Sequence, residues 1–157
     1  MRDINELEIT GSLATATQEN IDALEKHFHV TFPDDYVQFL FAVNGGSPAL
    51  PVFNYTLSSG REGASAVSKF FYATGNNDDQ YGIWYNTEIL RSDFTEYGVD
   101  RPVIAIGENG GGDMIYLDTS AGSPGVFIFF YASEGSTPKI SDTFTAFINQ
   151  LRPVEEL

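Results

Sequence analysis

Three strongly apolar segments follow one another in the second half of the chain, and they constrain the fold more than any other feature. They run over 102–106, 113–118 and 125–131, and glycine-rich or serine/glycine-rich stretches separate them. Short apolar runs bounded by turn residues are typical of β-strands. The sequence therefore predicts a sheet in this region, and a largely antiparallel one.

Helical spacing of apolar residues predicts two helices close together near the start of the chain. Thr17 can cap the first helix, which runs to about His29. The second begins at Pro33, because proline suits the first helical position. It is expected to end at Asn44-Gly45-Gly46, where glycine can adopt the left-handed C′ conformation without strain.

Two further helices are expected later in the chain. The first has a buried face that extends from Ile83 to Tyr97, and Gly98 ends it. The second is capped by Ser141 and carries apolar residues at helical spacing over 144–151.

β-Strand signals also fill the region between the second and third helices, where apolar runs at 51–57 and 66–72 flank a Ser-Ser-Gly turn. The predicted order is therefore α-α-β-β-α-β-β-β-α, an α+β fold with helices packed on a largely antiparallel sheet. A length of 157 residues fits one domain over 1–157. Within it, residues 1–16 are expected to form an arm or a short edge strand.

Composition excludes several classes of protein. Eight Lys and Arg against 22 Asp and Glu give a net charge of −14, and the basic residues form neither a cluster nor a stripe. Nucleic acid and membrane surfaces are therefore not expected partners. The absence of Cys excludes disulfides, thiolate nucleophiles and Cys-ligated metals. No segment approaches the ~18 apolar residues of a membrane span, and the first residues lack the apolar stretch of a secretory signal, which predicts a cytoplasmic protein.

Two motifs resemble ligand sites but are better explained as structural. The glycine-rich stretch 107–113 opens a strand instead of a helix and lacks the Lys-Ser/Thr of a phosphate-binding loop, so it predicts a hairpin turn. Asn77, Asp79 and Glu88 have the spacing of a calcium loop, but Tyr81 stands where an oxygen ligand belongs. A solvated loop is the better interpretation of this second motif.

The two histidines offer no chemistry either. His27 and His29 point about 200° apart if both are helical, so they cannot bind one metal together. No nucleophile elbow of the Gly-x-Ser-x-Gly type accompanies them. The sequence therefore predicts no catalytic residue, no cofactor and no metal site.

Three segments in this order resemble the SUKH superfamily. FPDDYVQFL at 32–40, followed by Asn44-Gly45-Gly46, is similar to its Leu-Pro-x-Asp-Tyr-x-x-Phe-Leu…Asn-Gly-Gly signature. VIAI at 103–106, with GGDMIYLD at 111–118 and GVF at 125–127, is similar to its central hairpin. ISDTFTAF at 140–147 is similar to its closing helix. The resemblance is to the Smi/Knr-like branch and extends from about Ile21 to Leu151.

This resemblance implies a non-catalytic α+β domain that binds a protein partner. Bacterial members of the superfamily are typically immunity proteins that neutralise polymorphic toxins, often nucleases, and fungal relatives regulate cell-wall synthesis. Our first hypothesis is therefore an immunity protein, monomeric or weakly dimeric, that covers a basic toxin with an acidic surface. One alternative is a regulatory or scaffold module that recruits a cellular protein. Another is a small hydrolase that uses a pair of carboxylates.

Candidate contacts for the first hypothesis are acidic residues in predicted loops and element ends. A negative surface attracts and orients a basic partner, and complementary charge raises the rate of association. These residues are Asp34, Asp35, Glu62, Asp78, Asp79, Glu88, Glu108 and Asp113.

Overall fold

A computed structural model describes residues 1–74, 77–121, 124–133 and 135–154 of the chain. It confirms the α+β class, because helices pack against an antiparallel sheet. The helices are α1 (Gln18–Phe28), α2 (Asp34–Ala42), α3 (Ile83–Glu96) and α4 (Phe144–Gln150). The strands are β1 (Val52–Thr56), β2 (Glu62–Phe70), β3 (Val103–Asn109), β4 (Met114–Asp118), β5 (Gly125–Phe129) and β6 (Lys139–Ser141).

The sheet closes into a barrel, which corrects the predicted architecture. Each strand pairs antiparallel with its neighbour in sequence, and β6 then pairs with β1. The predicted order lacked β6, so the observed order carries one more strand between β5 and α4. Register shifts in β2–β3 and β3–β4 mark bulges, which increase strand bending and help a sheet to curl.

Two helix ends differ from the prediction, and each difference has a local cause. Ser141 does not cap α4 because it belongs to β6, and the Thr143 hydroxyl instead accepts the Ala146 N–H at 3.0 Å. The helix α2 ends at Ala42, before the glycines. Gly46, with φ of +112°, pairs with Phe70 in an isolated bridge. The predicted cap at Thr17 is confirmed, since its side chain forms a capping box with Asn20.

Gly45 shows why this segment needs glycine. Its φ is +76°, and a Cβ atom built there would lie 2.2 Å from the Tyr72 ring. Both the backbone conformation and the close approach of the ring exclude other residues. The pair Gly45-Gly46 therefore fixes the passage from α2 to the barrel and does not act as a helix cap.

The main aromatic core lies where α2 and α4 pack over the barrel. The rings of Phe39 and Phe144 meet edge to face at 5.1 Å, and Phe147 packs in the same way on Phe53 of β1 at 5.6 Å. Buried aromatic rings supply much of the apolar area that stabilises a domain of this size. On the outer face of β3, α3 is held by Thr87, whose hydroxyl accepts the Ala105 N–H at 3.0 Å.

The first 16 residues contain a 3₁₀ turn, Ile4–Leu7, whose Leu7 side chain is fully buried. Thr10 and Leu13 then make isolated bridges to Ser47 and Asn44. Backbone hydrogen bonds and one buried leucine thus attach this segment to the loop that follows α2.

Two tyrosines lie on the surface, against expectation. Tyr97 was predicted to complete the buried face of α3, but that helix ends at Glu96 and Gly98 turns the chain with φ of +75°. Tyr131 was predicted within a core strand, but β5 ends at Phe129. Both side chains are exposed because the regular element stops before it reaches them.

No helix within the described ranges is long and apolar enough to cross a membrane.

Candidate protein-binding surface

The eight predicted contact residues do not form one patch. Asp34 and Asp35 begin α2, Glu62 begins β2, and Asp78 and Asp79 precede α3. Glu88 lies within α3, and Glu108 and Asp113 flank the turn between β3 and β4, as the glycine-rich stretch predicted. The structure therefore distributes them over both ends of the barrel.

Asp35 has a structural role at the start of α2. Its Oδ2 accepts hydrogen bonds from the Thr145 N–H and hydroxyl, both at 2.8 Å, so it links α2 to α4 across the sequence. Asp34, the adjacent residue, is exposed. Only one of this pair is fully available to a partner.

Glu88 links two helices and does not complete a calcium loop. Its carboxylate lies 2.5 Å from His27 Nε2, and the His27 ring stacks on Trp84 at 3.9 Å between centroids. His27 therefore lies at the surface contact between α1 and α3, while the exposed His29 ends α1 with φ of +56°. Among the described residues, no group of three or more histidine or carboxylate side chains is placed to hold a metal ion.

Four exposed tyrosines lie along α3, and we call them, with Asp93 and Asp113, the tyrosine face. Tyr81, two residues before α3, is 39% exposed, Tyr85 in its first turn is 38% exposed, and Tyr97 at its end is 53% exposed. Tyr131 is 39% exposed, and its hydroxyl donates to Asp93 of α3 at 2.7 Å. The other exposed large apolar side chains of the described chain are Met1, Leu13 and Val154, far from α3 in sequence.

Tyr131 is fixed at both ends by carboxylates. Its backbone N–H donates to Asp113 Oδ1 at 3.1 Å, while Asp113 Oδ2 accepts from the Asn109 side chain at 3.0 Å. Burial raises the pKa of the Tyr131 phenol above its ordinary value, and the hydrogen bond to Asp93 raises it further. The hydroxyl therefore remains a neutral donor to Asp93 at physiological pH.

Tyr81 is fixed by a cation. The Lys69 ammonium lies 4.2 Å from the centroid of its ring, and the Tyr81 N–H donates to Asp79 at 2.9 Å. Lys69 faces Glu108 across the β2–β3 ladder. Burial raises the pKa of Glu108, and the charge of Lys69 partly opposes that shift. The ammonium group of Lys69 therefore lies between the Tyr81 ring and Glu108, just before the start of α3.

A groove on another part of the surface also contains charged residues, and we call it the charged groove. Its larger part has a volume of about 580 Å³ and is lined by the aromatic rings of Phe94, Tyr116 and Phe127. The ion pairs Arg101–Asp118 and Lys139–Asp142 also lie there. Burial raises the pKa of the Tyr116 phenol.

The smaller part of the charged groove, of about 480 Å³, reaches Asp34 and Asp35 and shares Asp118 and Asp142 with the larger part. Asp118 is almost inaccessible, since its side chain is 2% exposed, and it also accepts hydrogen bonds from Ser120. Most of the acids in the groove are thus paired inside the protein.

Comparison with known families identifies one that matches most of the chain. The sequence profile of the SMI1 / KNR4 family (SUKH-1) matches residues 15–150. The chain belongs to this family. A comparison with curated proteins finds none that matches. The resemblance noted in the sequence is thereby confirmed, and the SUKH-1 match begins just before α1 and ends with α4.

The family defines the class of function but not the partner. It includes immunity proteins and cell-wall regulators, it is generally non-catalytic, and its members act through protein–protein interaction. In this SUKH-1 domain the carboxyl with a raised pKa, Glu108, has Lys69 as its charged neighbour instead of a second carboxylate. The paired-carboxylate arrangement expected of a small hydrolase does not describe that site.

Sequence reasoning missed the residues that make the tyrosine face of this SUKH-1 domain. Tyr85 was not considered, and Tyr97 and Tyr131 were assigned to the core. One signal was available, because the aromatic residues Tyr81 and Tyr85 stand four positions apart among polar residues at and just before the start of α3. An aromatic residue among acids on a polar helix face indicates a surface that is not ordinary solvent-exposed helix.

Proposed function

We propose that this SUKH-1 protein is a non-catalytic immunity protein that binds a basic toxin domain through its acidic surface, with a nuclease as the first class to test. Binding alone neutralises such an enzyme if the immunity protein covers its substrate site. The proposal extends the protein–protein interaction typical of the family to a partner of defined charge.

The observation that carries this proposal is that six of the eight basic side chains contact other groups of the protein, so that only Lys26 and Arg61 are exposed without such a contact in the described residues. Arg101 and Lys139 form ion pairs, and Arg2 pairs with Glu6 and donates to the Leu151 carbonyl. Arg91 lies over the Phe28 ring, and Arg152 donates to Asn54. With 22 acids against 8 basic residues, most of the charge that a partner meets is therefore negative.

The sequence-predicted acids supply part of this surface. Asp34, Glu62 and Asp78 are exposed, and Asp79, Glu108 and Asp113 are half-buried beside the tyrosine face. A field of this sign raises the rate at which a basic partner arrives, and the effect falls steeply with ionic strength. We therefore include all eight acids in the proposal as contributors to steering, with Asp35 and Glu88 also linking helices.

The experiment uses the C-terminal domain of the protein encoded by the reading frame adjacent to this gene. Co-expression with this chain should restore growth to cells that the domain alone arrests. The association rate should fall by about tenfold or more between low and physiological salt. No rescue by the wild-type chain would contradict the proposed function, and an association rate indifferent to salt would contradict the electrostatic mechanism.

A matched pair of variants separates charge from shape. Asp34→Asn/Glu62→Gln/Asp78→Asn removes three exposed charges, from −14 to −11, and should slow association without changing dissociation. Ser58→Asn/Ser59→Asn/Thr56→Gln changes polar side chains at the β1–β2 hairpin and leaves the charge unchanged, so it should behave as wild type.

A further inference from the structure

The tyrosine face combines exposure with rigidity, and ordinary surfaces lack that combination. Tyrosine and arginine are enriched in the cores of protein interfaces, whereas lysine and glutamate are depleted. All four tyrosines that the described chain exposes lie at α3 or bind to it. Chance would distribute them over the whole barrel, as it does the exposed Leu13 and Val154.

Three of these rings are held in place before any partner arrives. Tyr131 is hydrogen-bonded to Asp93 and Asp113, and Tyr81 lies under Lys69. Tyr97 packs edge to face on Phe129 at 6.1 Å. A fixed side chain loses little conformational entropy on binding, so its contact area contributes more fully to affinity.

The dimensions of the face suit a protein partner. α3 spans 14 residues, or about 21 Å at 1.5 Å per residue, and the tyrosines extend from before its first turn to its end. A standard interface covers about 800 Å² on each partner, a patch of about 28 Å on a side. A small molecule would occupy only one of these rings.

The charges around the face define the partner further. Asp79, Asp93 and Asp113 contact the tyrosines or their backbone, and the nearby Lys69 is already stacked on Tyr81. Guanidinium groups stack on tyrosine rings and pair with carboxylates in the same plane, which lysine does less well. A second copy of this chain, also at −14, would be repelled.

We propose that the tyrosine face is the docking surface for a protein that presents arginine side chains, which stack on Tyr81, Tyr85, Tyr97 and Tyr131 between the flanking aspartates. This inference rests on the proposed function for the identity of the partner, the toxin domain. It goes further by assigning the contact to one face and by excluding the charged groove and the β1–β2 hairpin.

The first experiment substitutes the two tyrosines of the face whose side chains form no hydrogen bond and no cation–π contact within the described residues. Tyr85→Ser/Tyr97→Ser should weaken binding of the toxin domain defined above by tenfold or more, mainly through faster dissociation. The matched control is Leu13→Ser/Val154→Ser, which removes two similarly exposed apolar side chains elsewhere and should leave affinity unchanged. Thermal unfolding of both variants verifies that each remains folded.

A third variant tests stacking. Tyr131→Phe keeps the ring but removes its hydrogen bond to Asp93, so it should retain most of the affinity that Tyr131→Ser loses. Equal dissociation rates for the wild type and Tyr85→Ser/Tyr97→Ser, with faster dissociation on substitution of Glu62 or the charged groove, would overturn the assignment and leave the proposed function standing.

The second experiment does not need the toxin. An arginine octapeptide and a lysine octapeptide are titrated separately into isotopically labelled protein, and amide shift changes are followed by NMR. The arginine peptide should perturb residues 81–97 and Tyr131 most and should bind more tightly than the lysine peptide. Shifts spread evenly over the acidic surface, equal binding of the two peptides, or self-association through α3 would each contradict the proposal.

Discussion

The charged groove and the tyrosine face are both rich in acids, but the acids do different work in the two regions. In the groove, Asp118 is buried against Arg101 and Ser120, and Asp35 links α2 to α4. On the tyrosine face, Asp93 of α3 and Asp113 of the β3–β4 turn are only half-buried, and both fix the exposed Tyr131. The acids of the groove are therefore used to stabilise the fold, although they line a cavity. The acids of the tyrosine face instead hold an exposed ring in one orientation, which is what a docking surface requires.

The comparison predicts that groove substitutions change stability and that face substitutions change binding. The largest effect is expected for Arg101→Met, because it leaves the Asp118 carboxylate, with a side chain only 2% exposed, without its cation. The free energy of unfolding should fall by about 2–3 kcal/mol. The loss should be smaller than for a fully buried pair, because Arg101 itself is partly hydrated. Urea unfolding measures the loss. Arg101→Met/Asp118→Asn should recover much of it, and equal losses in the single and double variants would show that the ion pair is not the cause.

A smaller effect is expected where α2 meets α4. Asp35→Ala should lower the free energy of unfolding by about 1–2 kcal/mol, because the Thr145 N–H and hydroxyl lose their acceptor. Asp34→Ala is the matched control and should change stability by less than about 0.5 kcal/mol, because that side chain is exposed. Thermal unfolding midpoints of the two variants test this difference. Similar losses in both would contradict it, because they would mean that Asp34 stabilises the fold as much as Asp35 does.

On the tyrosine face, Tyr131→Phe should lower stability at neutral pH by about 0.5–1 kcal/mol through the lost hydrogen bond to Asp93. The folded protein raises the pKa of Tyr131 above its ordinary value of 10.0, so it holds the phenolic proton more tightly than the unfolded chain does. The stability contributed by this proton is complete below pH 10 and is lost as pH rises further. The wild type and Tyr131→Phe should therefore converge above pH 10 in urea unfolding. A constant difference from pH 7 to 11 would contradict this assignment.

The smallest effect is expected at Glu108, on the edge of the same face. Burial raises its folded-state pKa, so its contribution to stability is complete at acidic pH and is lost as pH rises through that pKa. The free energy of unfolding of Glu108→Gln should therefore equal or slightly exceed that of the wild type at pH 7, by no more than about 0.5 kcal/mol. The advantage should disappear near pH 4. A clear loss at pH 7 would mean that attraction to Lys69 outweighs burial.

Local patterns predicted the elements well wherever the determining contacts lie close in sequence. The capping box at Thr17 and the β1–β2 hairpin depend on residues within a few positions of each other. The third helix was likewise predicted from its buried residues Ile83, Leu90 and Phe94. These patterns can be recognised in the sequence because each cap or turn forms between residues only a few positions apart.

The barrel closure was not predictable in the same way. The strand β6 has three residues, of which only Ile140 is apolar, so it shows no alternation. It exists because it pairs with β5 on one side and with Thr56 of β1, more than 80 positions away, on the other. The tyrosine face is equally non-local, since the Tyr131 hydroxyl joins α3 through a hydrogen bond to Asp93, 38 positions away. The sequence identified acids as candidates, but the fold decides which of them accompany an exposed ring.

The ring of hydrogen-bonded strands that the described residues form leaves another polypeptide little open edge on which to add itself as an extra strand. Recognition must then pass through side chains that project from the helices and turns. The three-residue strand β6, by closing the barrel, thus confines a partner to contacts with side chains outside the sheet edge.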